Sequence, residues 1–190
     1  MQLLLKQRQR QIGAKNGAFP SHGAAPVRGH PGAGLESRLF TTATDRAKAT
    51  SLADARVLIV GFSADQLSGL RRSIQRVGVR GIGSTPSVQK LDMFSEMKSA
   101  FSHIVVNFDA FEDTESGVDA LFTFRMQASE FVIILCSAYA SGDDFGTERA
   151  AICDATLRLP VSEHRVRAGL MAGTENHADR CNGYRKAALS

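Results

Sequence analysis

The sequence predicts an α/β protein built on a doubly wound parallel sheet, and three observations predict it. Short apolar runs recur at Arg56–Val60, Ile104–Phe108, Phe131–Cys136 and Ala155–Leu159. The segments between several of them place apolar residues at three- and four-residue spacing, the mark of one helical face. The run Phe131-Val132-Ile133-Ile134-Leu135-Cys136 is unbroken in its hydrophobicity, as a strand covered on both faces must be. Finally, each run delivers distinctive residues just past its C-terminal end: Gly61-Phe62-Ser63, then Asp109, then Ser137-Ala138, then Pro160. Open α/β sheets place their sites at such strand ends.

Taken in order, the first strand is Arg56–Val60. Ser63-Ala64-Asp65-Gln66 then reads as a capping box, with Ser63 as N-cap and Gln66 at N3. Ala64, Leu67, Leu70, Ile74 and Val77 give the helix an inner face, and Gly78 stops it. Val79–Ser84 is a Gly-rich second strand. Thr85-Pro86 starts the next helix, lined by Val88, Leu91, Phe94 and Met97. The third strand is Ile104–Phe108, followed by a helix from Ser116 to Ala128 with Val118, Leu121, Phe122 and Met126 inward. The fourth strand is Phe131–Cys136, with a short helix from Asp144 to Cys153. The fifth is Ala155–Leu159, and a last helix opens at Ser162 and ends before Gly173. Right-handed crossovers leave few arrangements, and at this size the flavodoxin-like (βα)5 order 2-1-3-4-5 is the expected one.

Charge divides the chain. Residues 1–54 carry eight Lys/Arg against three acids, whereas residues 55–172 carry twelve against fourteen. The basic character therefore belongs to a Gly/Ala/Pro-rich leader, residues 1–54, which cannot bury a core and is expected to be disordered. Residues 55–172 form the domain, and the polar residues 173–190 are expected to be a flexible tail. The folded part has no basic face large enough for nucleic acid. No stretch approaches the ~20 apolar residues of a membrane span. Met1–Leu5 precedes its basic residues, the wrong order for a secretory signal. Cys136, Cys153 and Cys181 form no C-x-x-C pair, which favours reduced thiols and a cytoplasmic protein.

With Asp109 after the third run, Gly117 eight residues later, Ser137-Ala138 after the fourth and Pro160 after the fifth, the chain resembles the receiver domain of two-component response regulators. Val106-Asn107-Phe108-Asp109-Ala110-Phe111 resembles receiver-like proteins of alphaproteobacteria. The resemblance implies that Asp109 takes the phosphoacceptor position and Ser137 the switch hydroxyl, with Gly117, Ala138 and Pro160 in supporting places. It also exposes departures. The acid pair that should hold Mg²⁺ is replaced by Gly61, Phe62 and Ser63. The lysine position is Leu159, with Arg158 one step earlier on the opposite strand face. The aromatic switch position is Thr156. Mg²⁺ dehydrates reluctantly, so Asp109 with a loop acid such as Glu112 would hold it weakly at best, and no cofactor is expected. The resemblance therefore implies a degenerate receiver.

The leading expectation is a non-enzymatic signalling module that binds a protein partner in a bacterial two-component or phosphorelay pathway. That partner would be a histidine kinase, a phosphotransferase or another regulator; a homodimer stays open. The alternative is a flavodoxin-like small-ligand binder or enzyme using the strand-end crevice, with an anion at the helix after Gly61-Phe62-Ser63. Elsewhere the bland readings prevail. Cys136 and the phenylalanines 94, 101, 122 and 124 are read as core, His103 as a surface residue, and Arg71, Arg72 and Arg76 as a solvated face. Gly78–Gly83 lacks the order of a dinucleotide loop.

Overall fold

The computed structural model describes residues 52–187, with strands β1 (Arg56–Val60), β2 (Gly81–Thr85), β3 (His103–Asn107), β4 (Val132–Ser137) and β5 (Ala155–Arg158). All pairs are parallel and the order is β2-β1-β3-β4-β5, as expected. Among the described residues three α-helices accompany them: α1 (Ala64–Val77), α2 (Thr114–Gln127) and α3 (Glu163–Ala187). Strand side chains alternate between the two faces. On one face Val57, Ile59, Val105, Ile134 and Cys136 join Leu70, Ile74, Val166 and Leu170 of α1 and α3 in a single apolar cluster. The other face is covered by α2 and a 3₁₀ segment, Leu91–Met97, which pack against each other. Expectations for residues 1–51 fall outside the described residues. Leu52–Asp54 form a 3₁₀ turn, and Leu52 is buried, so order begins before Ala55.

Local signals hold where they are strongest. Both halves of the Ser63–Gln66 capping box are made, and Gly78 closes α1 in the left-handed conformation at φ 90°. Four expectations about the helices fail. The helix expected from Thr85-Pro86 is only the 3₁₀ segment, where the Ser95 hydroxyl donates back to Asp92 C=O and Met97 is exposed. Helix α2 starts at Thr114, capped by Asp113, ahead of the expected start at Ser116, and the buried face is Gly117, Leu121, Phe124 and Arg125. Phe122 and Met126, expected inward, face solvent. Apolar residues lie all round this helix, so their spacing does not select a face. Residues 144–153 form turns instead of a helix. Asp144 instead makes an antiparallel bridge with Thr156 on the β5 edge.

The fourth correction is the largest. Gly173 does not end the last helix, and α3 runs on to Ala187 through the expected tail. Gly173 is where the helix backbone lies closest to the sheet, since a β-carbon there would run into Ile134 Cδ1. Beyond it, Asn176 Nδ2 donates to Asp154 C=O at 2.8 Å, and Arg180 NH2 donates to Ser129 C=O at 3.0 Å. These contacts surround Asp154, whose side chain is 1 % exposed and lies at the N-terminal end of β5. Asp154 Oδ2 accepts from Arg125 NH2 at 2.9 Å and from Ile133 N–H at 2.8 Å, and Arg180 Nε stands 3.5 Å from Oδ1. His103 is not at the surface but inside β3, 5 % exposed, with Nε2 3.0 Å from the Thr174 hydroxyl. Burial pushes its pKa down to about 4, helped by the nearby His177, so it is neutral at physiological pH.

Candidate functional site

The strand-end site starts from Asn107, the last residue of β3. Its side chain is buried, donates from Nδ2 to Gly61 C=O at 3.0 Å, and accepts the Asp109 N–H on Oδ1 at 3.2 Å. Those two bonds fold the chain into the 3₁₀ turn Phe108–Ala110, so Asp109 leaves the strand and stands over the end of β4. There the side chain is exposed, and each carboxylate oxygen accepts one hydrogen bond. Ser137 Oγ–H donates to Oδ1 at 2.5 Å, and Ala138 N–H donates to Oδ2 at 2.7 Å. The Ser137 oxygen accepts in turn from Tyr139 N–H at 3.0 Å. Asp109, Ser137 and Ala138, picked out separately in the sequence, are thus one hydrogen-bonded unit joining the tips of β3 and β4. Gly117 lies behind it in the first turn of α2, where a β-carbon would meet the rings of Phe108 and Phe111 at 2.9 and 3.1 Å.

At the acid-pair positions the structure goes further than absence of charge. Gly61 sits at φ 81°, and a β-carbon on it would fall 2.6 Å from Val88 Cγ1 and 3.0 Å from Ala110 Cβ. The room for a side chain is already filled by aliphatic groups. Phe62 is buried at 4 % exposure, and Ser63 is committed to capping α1. Glu112 is exposed in the loop. Among the described residues no three His, Cys, Asp or Glu side chains are grouped to hold a metal ion. Mg²⁺ needs oxygen ligands in near-octahedral array. One carboxylate already holding two donors, beside a filled pocket, does not fit it.

At the far side, Leu159, which the resemblance sets against a lysine, packs against the apolar cluster and donates its N–H to Ser137 C=O at 2.9 Å; Leu159–Pro160 is cis. Arg158 is no substitute, because it is exposed and its NH1 reaches Ser141 C=O at 3.3 Å. Thr156 is buried and accepts from Arg149 NH1 at 3.0 Å. The cation nearest this corner is Arg165, from the first turn of α3. It grips Asp143 with Nε and NH2 and donates from NH1 to Pro160 C=O at 2.8 Å. The Arg165 guanidinium holds the Asp143 carboxyl below the usual carboxylate range, with the Arg158 N–H adding to it. Sequence reasoning missed Asn107, Asp143 and Arg165. Asn107 was visible as a polar residue closing an apolar run; the Asp143–Arg165 pair has no local pattern that marks it.

Next to Ala138 and Pro160 a largely apolar groove of about 400 Å³ opens toward α1, floored by Phe62, Gly69, Leu70 and Leu159 and edged by Asp65 and Gln66. The N-terminus of α1 beside it is no ready anion site, since Gln66 N–H and Ser63 N–H are satisfied within the capping box.

No protein-family model matches the chain, and no curated protein does. Solved structures do. A protein described as pilus assembly-related from Burkholderia pseudomallei is similar at TM-score 0.52 and 18 % identity, over 66 % of this chain and 93 % of its own. The signal receiver domain of a LuxO repressor protein from Vibrio parahaemolyticus is similar at TM-score 0.52 and 14 % identity, over 67 % and 95 %. A response regulator receiver domain from Clostridium thermocellum is similar at TM-score 0.50 and 14 % identity, over 72 % and 99 %. What this chain has in common with them is a fold, and that fold is the one of response-regulator receiver domains.

Proposed function

We propose that this chain is a degenerate receiver: a non-enzymatic signalling module in a bacterial two-component or phosphorelay pathway that works by binding a protein partner and does not depend on Mg²⁺-assisted phosphorylation of Asp109. The observation that carries this is the surroundings of Asp109, which is exposed but has no second carboxylate grouped with it for a metal among the described residues. In-line attack on a phosphoryl group needs cations to neutralise the transferred charge. Here aliphatic groups fill the space beside Gly61, and Leu159 stands where the resemblance calls for lysine. The Asp109–Ser137 bond joins the two loops without any phosphate, so the surface they shape is permanently presented. The partner is a histidine kinase, a phosphotransferase or another regulator in the cytoplasm, and no described helix is long and apolar enough to cross a membrane.

The test pairs chemistry with genetics. Purified full chain incubated with acetyl phosphate or a phosphorylated kinase and Mg²⁺ is expected to carry no acid-labile acyl phosphate. In cells, Asp109→Asn is expected to complement a deletion as well as wild type does. Acyl phosphate on the wild type, together with loss of function in both Asp109→Asn and Ser137→Ala, would make it a working receiver.

A further inference from the structure

We propose that the layer of the domain formed by α2 and the 3₁₀ segment Leu91–Met97 is a docking surface for a basic amphipathic helix of a partner protein. Six large hydrophobic side chains are exposed among the described residues, and four of them lie on these two neighbouring elements. Met93 and Met126 are 65 % and 71 % exposed, Met97 and Phe122 38 % and 43 %. In α2 the pair is four residues apart and shares one side of the helix, whereas in the 3₁₀ segment, with three residues per turn, Met93 and Met97 diverge and broaden the patch. Methionine is flexible and polarisable and moulds itself to an incoming side chain. A helix laid across such a patch would bury it with leucine or phenylalanine at i, i+3, i+4 and i+7.

Charge decides what flanks that stripe. Residues 90–98 and 112–130 together contain seven acids and three cations. Of the cations, Arg125 is buried on Asp154 and Lys98 bridges Glu130 at 2.9 Å, which leaves Lys90. Asp92 and Glu96 stand beside Met93 and Met97, while Glu115 and Asp119 occupy the turns of α2 before Phe122 and Met126; all four are exposed. Helix α1 on the opposite layer carries the reverse sign, although Arg76 is paired with Glu163 of α3 at 3.2 Å. Arg71, Arg72, Arg76 and Arg80 are exposed on and just after α1, whose single acid is Asp65. A helix rich in Lys and Arg is thus disfavoured at α1 and steered to the acidic layer of α2 and the 3₁₀ segment. This surface rests on the reading of the chain as a protein-binding module but is separate from the groove beside Pro160 and from Asp109.

The test uses the full chain and a fluorescein-labelled synthetic helix of about 18 residues, five turns, with a leucine stripe and lysine elsewhere. Its counterpart has the same stripe with glutamate in place of lysine. Anisotropy titration is expected to show micromolar binding of the lysine peptide, about tenfold or more tighter than the glutamate peptide. The pair Met93→Ser with Met126→Ser, and separately Asp92→Asn with Glu96→Gln, are each expected to weaken it about tenfold. Arg71→Gln on the other layer is expected to leave it unchanged. These side chains are exposed, and unchanged melting curves would confirm that the variants fold. Absent or equal binding of the two peptides overturns the proposal, as does binding indifferent to both variant pairs. Binding that appears only after residues 1–51 are removed would assign the surface to the chain's own basic leader. Concentration-dependent dimerisation abolished by Met93→Ser with Met126→Ser would assign it to a second copy. Both overturn the partner proposal. The peptide assay needs neither phosphate nor a native partner, so its failure leaves the reading of Asp109 intact.

Discussion

Gly61→Ala tests the claim that the acid pocket is filled and not merely uncharged. The change adds one carbon at a residue with φ 81°, placing it 2.6 Å from Val88 Cγ1 and 3.0 Å from Ala110 Cβ. Holding an L-residue in the left-handed region costs about 1–2 kcal/mol. Val88 is buried and β-branched, so it cannot rotate freely aside, and overpacking a tight site adds about 1–3 kcal/mol. The expected loss is about 2–5 kcal/mol. Gly78→Ala is the matched control: its φ is 90°, and no heavy atom lies within 4 Å of an added β-carbon. It should lose only the conformational part, about 1–2 kcal/mol. Urea unfolding followed by circular dichroism resolves the pair. With an m value of about 2 kcal/mol per molar, the Gly61 variant should melt roughly 0.5–1.5 M earlier than the Gly78 variant. Equal midpoints would show that the space beside Gly61 is open. Gly61→Asp is then expected to give no Mg²⁺ binding by calorimetry, since the carboxylate has nowhere to go.

Three further outcomes follow from the same contacts. Asp109→Asn retains an acceptor for Ala138 N–H and a group that can bond Ser137, so its melting point should stay near wild type. Asp109→Ala removes both acceptors, leaves the exposed Ala138 N–H to water, and should lose about 0.5–1.5 kcal/mol by urea unfolding. His103 sits near pKa 4 in the fold against 6.5 unfolded. The unfolded chain therefore binds the extra proton between these values, and the stability His103 contributes is full above about pH 6.5 and falls as pH drops toward 4. The difference corresponds to about 3 kcal/mol at most, and His103→Gln should flatten that part of the pH–stability curve. Ending the chain at Gly173 removes Asn176 and Arg180 from around Asp154, and should lower the melting temperature by several degrees. An unchanged melting point would mean the last turns of α3 add nothing.

How far the sequence reveals this molecule depends on the range of the interaction. The capping box at Ser63 and the Gly78 stop were legible because each is closed within a few residues. The sheet order was legible because unbroken apolar runs and crossover handedness admit few arrangements. The face of α2 was not, since Val118, Leu121, Phe122, Phe124 and Met126 surround the axis, and Arg125 counts as an outward residue until Asp154 is known to await it. Gly173 looked like a stop because a helix-ending glycine and a close-contact glycine are the same letter. At the strand ends, Asp109, Ser137 and Pro160 stood out by their place after the apolar runs, and the lack of a carboxylate from Gly61 to Ser63 was plain. That the room beside Gly61 is filled by Val88 and Ala110, and that Asn107 turns Asp109 away from the strand, depends on three-dimensional neighbours no local pattern records.

The clasp at Asp154 also has a mechanical meaning. It ties α2, the start of β4, the start of β5 and the far end of α3 through side chains that are almost wholly buried. Tension applied to the C-terminal end would first peel the turns after Arg180, which lie beyond these bonds. It would then meet Arg180 and Arg125 pulling on one carboxylate from different directions, with the sheet behind them. A force–extension trace should therefore show a small, compliant event followed by a single abrupt rupture. Asp154→Asn should lower the force of that rupture more than it lowers the melting temperature, because the clasp stands where the load enters the fold.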